Sequence, residues 1–94
     1  MIKVIIERTL TPGLEIEYEQ AARAILQATL RAEGYISGES LKDANNPNHR
    51  FIITLWRDKT AWHRWETSEE RYQVLTGIAP LLSGDEKVTI LEHL

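Results

Sequence analysis

Residues Ile2 to Leu10 set Ile2, Val4 and Ile6 against Lys3, Ile5 and Glu7, the two-residue period of a strand. Thr11-Pro12-Gly13 breaks that pattern with turn-forming residues. Leu14 to Glu33 is then built from good helix formers. Within it Tyr18, Ala21, Ala22, Ile25, Leu26, Thr29 and Leu30 return at three- and four-residue steps, which predicts one apolar stripe. Glu19 and Arg23 are placed for an i,i+4 pair on the wet face, and Gly34 follows as a C-terminal cap.

Tyr35 to Asp43 reads as an edge strand, because Ser37-Gly38 interrupts it where a glycine bulge is tolerated. Ala44 to Asn48 is a turn cluster: Asn accepts unusual backbone angles and Pro presets φ. His49 to Trp56 returns as a central strand, apolar on both faces. Asp58 is an N-cap for a helix from Lys59 to Glu66. Thr67-Ser68-Glu69-Glu70 reads as a capping box that restarts a helix running to about Ala79, before Pro80. Gly84-Asp85 turns the chain into a last strand, Lys87 to Leu94, with Val88, Ile90 and Leu94 on one face. The order strand, helix, strand, strand, broken helix, strand predicts an α+β, ferredoxin-like βαββαβ sandwich in a single domain, residues 1–94, with both helical segments on one face of an antiparallel sheet. Val4, Ile6, Phe51, Ile53 and Leu55 are expected to face the helices. The bare face is expected to carry Ile5, Glu7, Ile52, Thr54, Trp56 and Leu91, a set too apolar for water, so a second copy packed on it is expected.

Composition narrows the function classes. The chain has 94 residues, a formal charge of −3 and no Cys. A domain of this size buries roughly two-thirds of the surface its unfolded chain exposes, a thin core that a partner copy would help to cover. An acidic balance argues against nucleic acid, which demands concentrated Lys and Arg. Without Cys there is neither a disulfide framework nor a thiolate site. No apolar run reaches membrane-spanning length and no secretory leader is visible, so a cytoplasmic protein is expected.

The residues with most chemical promise are Trp62, Trp65 and Tyr72, which recur at helical spacing beside the break at Glu66-Thr67. Such a stripe can be core or dimer-seam packing. It can also wall a pocket kept open by the break, suited to planar molecules. His49, His63 and His93 are dispersed, and His63 with Glu66 is an i,i+3 pair that falls short of the three or four convergent ligands a divalent ion requires. Arg57, Arg64 and Arg71 are expected to pair with nearby carboxylates.

Thr11-Pro12-Gly13 after the first strand, Gly34-Tyr35 opening the second, Asn46-Pro47 in the hairpin, and Leu55 to Trp62 with Trp65 nine residues after Trp56 together resemble the antibiotic biosynthesis monooxygenase (ABM) family. The resemblance covers nearly the whole chain. It implies a dimeric α/β barrel of two ferredoxin-like units, and cofactor-free oxygenation of a small aromatic quinol or polyphenol in a pocket between sheet and helices. A non-catalytic binding or sensing protein of the same fold is the alternative. By the same resemblance, Trp65, Tyr72, Ile6 and Leu75 are the substrate-binding candidates, and His63 and Tyr72 are candidates for proton transfer. The haem-degrading branch of the family uses an Asn on the first strand, which falls here at Ile6 or Glu7, and a ligating His, which falls at or near Leu75. Leu cannot ligate iron, so that route is not expected.

Overall fold

The computed structural model describes all 94 residues as four strands, three α-helices and one short 3-10 turn. β1 (Ile2–Thr9), β2 (Tyr35–Asp43), β3 (Asn46–Trp56) and β4 (Lys87–Glu92) form one antiparallel sheet in the order β2-β3-β1-β4. α1 (Glu15–Leu30) crosses from β1 to β2, and α2 (Lys59–Glu66) with α3 (Glu69–Leu75) crosses from β3 to β4. This is the ferredoxin-like α+β arrangement expected from the element order. Its shortest dimension, 19 Å, is that of two layers, so the helices cover one face of the sheet and leave the other without a layer. No helix is long and apolar enough to cross a membrane.

The pairing of β1 with β3 decides which side chains meet the helices. Ile2, Val4 and Ile6 stand opposite Trp56, Thr54 and Ile52, and all six point toward the helical layer, with Val4 and Trp56 wholly buried. Ile5 stands opposite Ile53, Lys3 opposite Leu55 and Glu7 opposite Phe51, on the bare face. The faces of β3 are therefore the reverse of the sequence expectation: Ile52, Thr54 and Trp56 are inside, and Phe51, Ile53 and Leu55 are outside. A strand apolar on both faces carries no alternation to read, and a slip of one residue exchanges its two sides. The consequence is chemical as well as geometric, since the helix-facing surface of β3 includes the hydroxyl of Thr54. That hydroxyl accepts from Trp56 Nε1 at 2.9 Å and donates to the Val4 carbonyl at 3.2 Å.

The helices differ from expectation mainly at their ends. α1 stops at Leu30 with Arg31 as its cap. Gly34, at φ +85°, serves instead in the turn that leads into β2. A Cβ at Gly34 would overlap that of Ala61, so this glycine also permits close approach of the turn to α2. Along α1, Ala28 is buried and Leu26 and Leu30 are exposed, which rotates the inner stripe slightly from the predicted one. Glu19 lies 3.7 Å from Arg50 of β3, not against Arg23. Asp58 caps α2 as expected, accepting from the Ala61 amide at 2.8 Å. Ser68, not Thr67, caps α3 by accepting from the Arg71 amide at 3.1 Å. α3 ends at Leu75, and Pro80 falls inside the 3-10 turn Ala79–Leu81. β3 begins at Asn46, earlier than expected, because the hairpin turn is only Ala44-Asn45. β4 ends at Glu92, leaving Leu94 outside the sheet.

Two clusters anchor the core. At one end Trp56 meets Trp62 and Tyr35 edge to face, each pair with ring centroids 5.5 Å apart, a geometry that aromatic quadrupoles favour. At the other, Leu10 and Ile78 are almost wholly buried where Leu10 bridges to Leu82.

Candidate functional site

Between the two layers the chain encloses a cavity of about 270 Å³. Its floor is the inner face of the sheet, with Ile6 and Arg8 from β1 and Ile52, Thr54 and Trp56 from β3. α1 supplies Ala22, Ile25, Leu26 and Thr29; α2 supplies Trp62 and Trp65; α3 supplies Arg71; edge strand β2 supplies Tyr35, Gly38, Glu39 and Ser40. Leu26 and Ser40 are exposed, so the mouth opens between α1 and the β2 edge. Tyr35 leans over Gly38, where a Cβ would come within 2.7 Å of the phenolic oxygen, so this wall depends on the absence of a side chain at Gly38. Burial pushes the Tyr35 phenol above its ordinary value, further still from ionisation at neutral pH.

The helix break is what brings α3 to the cavity. The Ser68 hydroxyl donates to the Trp65 carbonyl at 2.7 Å while accepting from the Arg71 amide, tying the end of one helix to the start of the next. Arg71 is the third residue of α3, within its first turn, and is only 5% exposed. Its guanidinium carbon lies 5.5 Å from the centre of the Trp62 ring, within cation–π range.

Arg8 is more deeply buried still, at 2% exposure, and one carboxylate serves both cations. Glu86, from the turn before β4, accepts from Arg8 Nε at 2.9 Å through Oε2 and from Arg71 Nη2 at 2.7 Å through Oε1. Arg8 Nη1 also donates to the Tyr18 hydroxyl at 3.0 Å. Burial opposes the charge on Glu86, but Arg8 and Arg71 more than offset it, holding its carboxyl below the usual carboxylate range. The buried N–H groups Arg71 Nε and Trp62 Nε1 have no hydrogen-bond partner in the protein.

The structure brings together only part of the predicted site. Trp65 and Ile6 line the cavity, each 5% exposed. Tyr72 is 64% exposed and lies outside it, because the change of helix direction at Thr67-Ser68 removes the common face it would share with Trp65 on a continuous helix. The His63 side chain is 73% exposed, 3.9 Å from Glu66. Leu75 lines a separate shallow depression with Ile78 and Leu82. His49 sits on the bare face beside Glu7 at 3.2 Å. No group of three His, Asp or Glu side chains converges as metal ligands would. Sequence reasoning missed Arg8, Arg71 and Glu86. Arg8 had a visible signal, since it continues the inward phase of Ile2, Val4 and Ile6. Arg71 pairs with a carboxylate as expected, but in the interior rather than at the surface.

Comparisons with known proteins bear on the fold and the family. No curated protein matches the chain. Among solved structures, an antibiotic biosynthesis monooxygenase superposes with a TM-score of 0.89 at 19% identity, covering 100% of this chain and 99% of that one. A conserved protein from Methanosarcina mazei gives 0.87 at 18%, covering 95% and 88%. A variant of SnoaB, a cofactor-independent oxygenase from Streptomyces nogalater, gives 0.86 at 15%, covering 98% and 91%. At such identities the likeness is one of fold. The family assignment comes from residues 1–74, which match the model for antibiotic biosynthesis monooxygenase from β1 through most of α3, and the chain belongs to that family.

Proposed function

We propose that the protein is a cofactor-independent monooxygenase that oxidises a small phenol or quinol with dioxygen in the cavity between its sheet and helices. The observation that carries this reading is the cavity itself: a space open at one side and walled by Trp56, Trp62, Trp65 and Tyr35, in a member of the antibiotic biosynthesis monooxygenase family. Flat aromatic walls favour a planar ligand through stacking and edge contacts. The name of SnoaB, a cofactor-independent oxygenase, supports the cofactor-free form of the reaction. In that reaction the deprotonated substrate supplies the electrons: one oxygen atom enters the ring, the other leaves as water, and a phenol becomes a quinone. The protein contributes orientation, exclusion of water and stabilisation of the anion. Trp65, Trp62 and Ile6 would contact the ring, and Thr54 and Tyr35 would bound its edge.

The proposed unit is a homodimer of single-domain chains, residues 1–94, forming the α/β barrel. Ile5, Phe51, Ile53 and Leu55 make a half-exposed apolar strip on the sheet face that no helix covers, flanked by exposed Leu41 and Leu91. The same face of a second copy would cover it with matching apolar surface. The cytoplasm is the proposed compartment.

A second reading, non-catalytic binding or sensing, is favoured by one observation. The ionisable side chains grouped at the inner end of the cavity are Arg8, Arg71 and Glu86, and the two arginines hold that carboxylate ionised and occupied, so the set is better suited to retaining an anion than to accepting a proton. Oxygen uptake against a panel of phenols and quinols tests the choice. The oxygenase reading expects protein-dependent uptake that falls when Trp65→Phe loosens the ring contacts, in a variant that keeps its fold because most of the aromatic volume remains. Tight binding of the same compounds without uptake would establish the sensing reading.

A further inference from the structure

The charges around the cavity do not balance. Arg8 and Arg71 are both almost wholly buried, and the single carboxylate of Glu86 stands between them. Glu39 does not restore the balance: in the ladder it stands opposite Ile53, so its side chain belongs to the other face of the sheet. Arg50, opposite Arg8 in the ladder, has its own partner in Glu19. One positive charge is left over beside an apolar space, where its field is weakly screened and a lone ion is costly. Hydrogen bonding is unbalanced in the same place. Arg8 uses Nε and Nη1 within the protein and Arg71 uses only Nη2, while Arg71 Nε is buried without a partner. Buried guanidinium donors ordinarily find acceptors, and the acceptor that would correct both deficits is an oxygen bearing negative charge.

Size narrows the ligand further. A cavity of about 150 Å³ is enough for benzene, so about 270 Å³ holds one substituted ring or two fused rings.

We propose that this cavity selects a one- or two-ring aromatic molecule carrying an anionic oxygen, a carboxylate or an ionised phenol, and that Arg71, supported by Arg8, is the residue that confers the selection. The proposal rests on the reading of the cavity as a ligand site and adds the charge of the ligand to it. Glu86 has the role of a positioning residue: it holds both guanidiniums at the cavity and neutralises only one of them.

The test compares charge at constant shape. Calorimetric titration of the intact protein with 4-hydroxybenzoate and with its neutral isostere 4-hydroxybenzamide should show the acid binding roughly ten- to a hundredfold tighter, the range of a charge-assisted hydrogen bond. A second arm uses 4-nitrophenol, whose yellow phenolate reports ionisation directly: binding should draw its ionisation to lower pH. Preference in the first arm identifies a carboxylate ligand, and preference in the second alone identifies a phenolate. Arg71→Gln removes the surplus charge and leaves Arg8 paired with Glu86, so it should fold and lose the preference. Arg71→Lys retains the charge and should keep part of it. If the benzamide binds as well as the acid and 4-nitrophenol ionises at its ordinary pH, the anion proposal is overturned while the cavity reading stands. If none of the three compounds binds, both fail. An anion preference that survives in Arg71→Gln overturns the assignment to Arg71.

Discussion

Replacing Glu86 by Gln isolates the energetics of the buried charge cluster. The substitution keeps shape and one acceptor but removes the charge that lies 2.9 Å from Arg8 and 2.7 Å from Arg71. Two like charges then remain in the interior. At an effective dielectric of about 20, each lost attraction at ~4 Å between charge centres is worth about 4 kcal/mol. Removing one partner of a buried pair costs about 3–5 kcal/mol when measured. Glu86 itself is 18% exposed, so water can partly replace it and the lower end applies, about 3 kcal/mol. For a domain of this length that lowers the melting temperature by roughly 12–24 °C. Thermal melts followed by circular dichroism, at one fixed protein concentration, measure it. The effect should also depend on pH with a defined sign. Arg8 and Arg71 hold the folded carboxyl of Glu86 below its ordinary 4.5, so its contribution is fully present above 4.5 and is lost as pH falls through the folded value. The melting temperatures of the two proteins should therefore converge as pH drops below 4.5. A decrease of less than about 4 °C at neutral pH, which corresponds to under 1 kcal/mol, would refute the view that this carboxylate holds the two arginines in place.

Ile53→Arg places a charge at the centre of the uncovered sheet face and, in a two-fold dimer, near its mate. It should convert the protein from dimer to monomer at micromolar concentration in light scattering, whereas an unaltered protein that is already monomeric would remove the basis for the barrel. Gly34→Ala combines a left-handed backbone, worth about 1–2 kcal/mol against a non-glycine residue, with overlap against Ala61, so chemical denaturation should show a loss above about 2 kcal/mol, and a neutral result would mean that the turn shifts freely. Trp65→Phe should cost about 1–3 kcal/mol if the ring is tightly packed and should weaken titration with a planar quinol; a lowered melting point with an unchanged titration would assign Trp65 to packing alone.

Much of the fold was legible along the chain because its signals are local. Alternation marked β1, the spacing of Tyr18, Ile25 and Thr29 marked the buried side of α1, and Asp58 marked the start of α2 through a hydrogen bond only three residues long. Element order then led to the ferredoxin-like sheet, since handed, short connections leave few alternatives. The family resemblance was likewise carried by turn residues and tryptophans in sequence order, and Trp65 and Ile6 already stood among the candidates for the cavity wall. What the sequence could not decide was how separated segments align. The inner face of β3 depends on its register against β1, and a strand that is apolar on both sides gives neither register an advantage until the sheet and helices assemble. Tyr72 left the face of Trp65 because two local caps turned the helix between them, a change of direction that spacing alone does not encode. The charge cluster is the clearest case. Arg8 and Glu86 are separated by 78 positions and Arg71 and Glu86 by 15, so only the packing of β1, α3 and the turn before β4 brings two cations to one carboxylate, and burial then makes that imbalance significant.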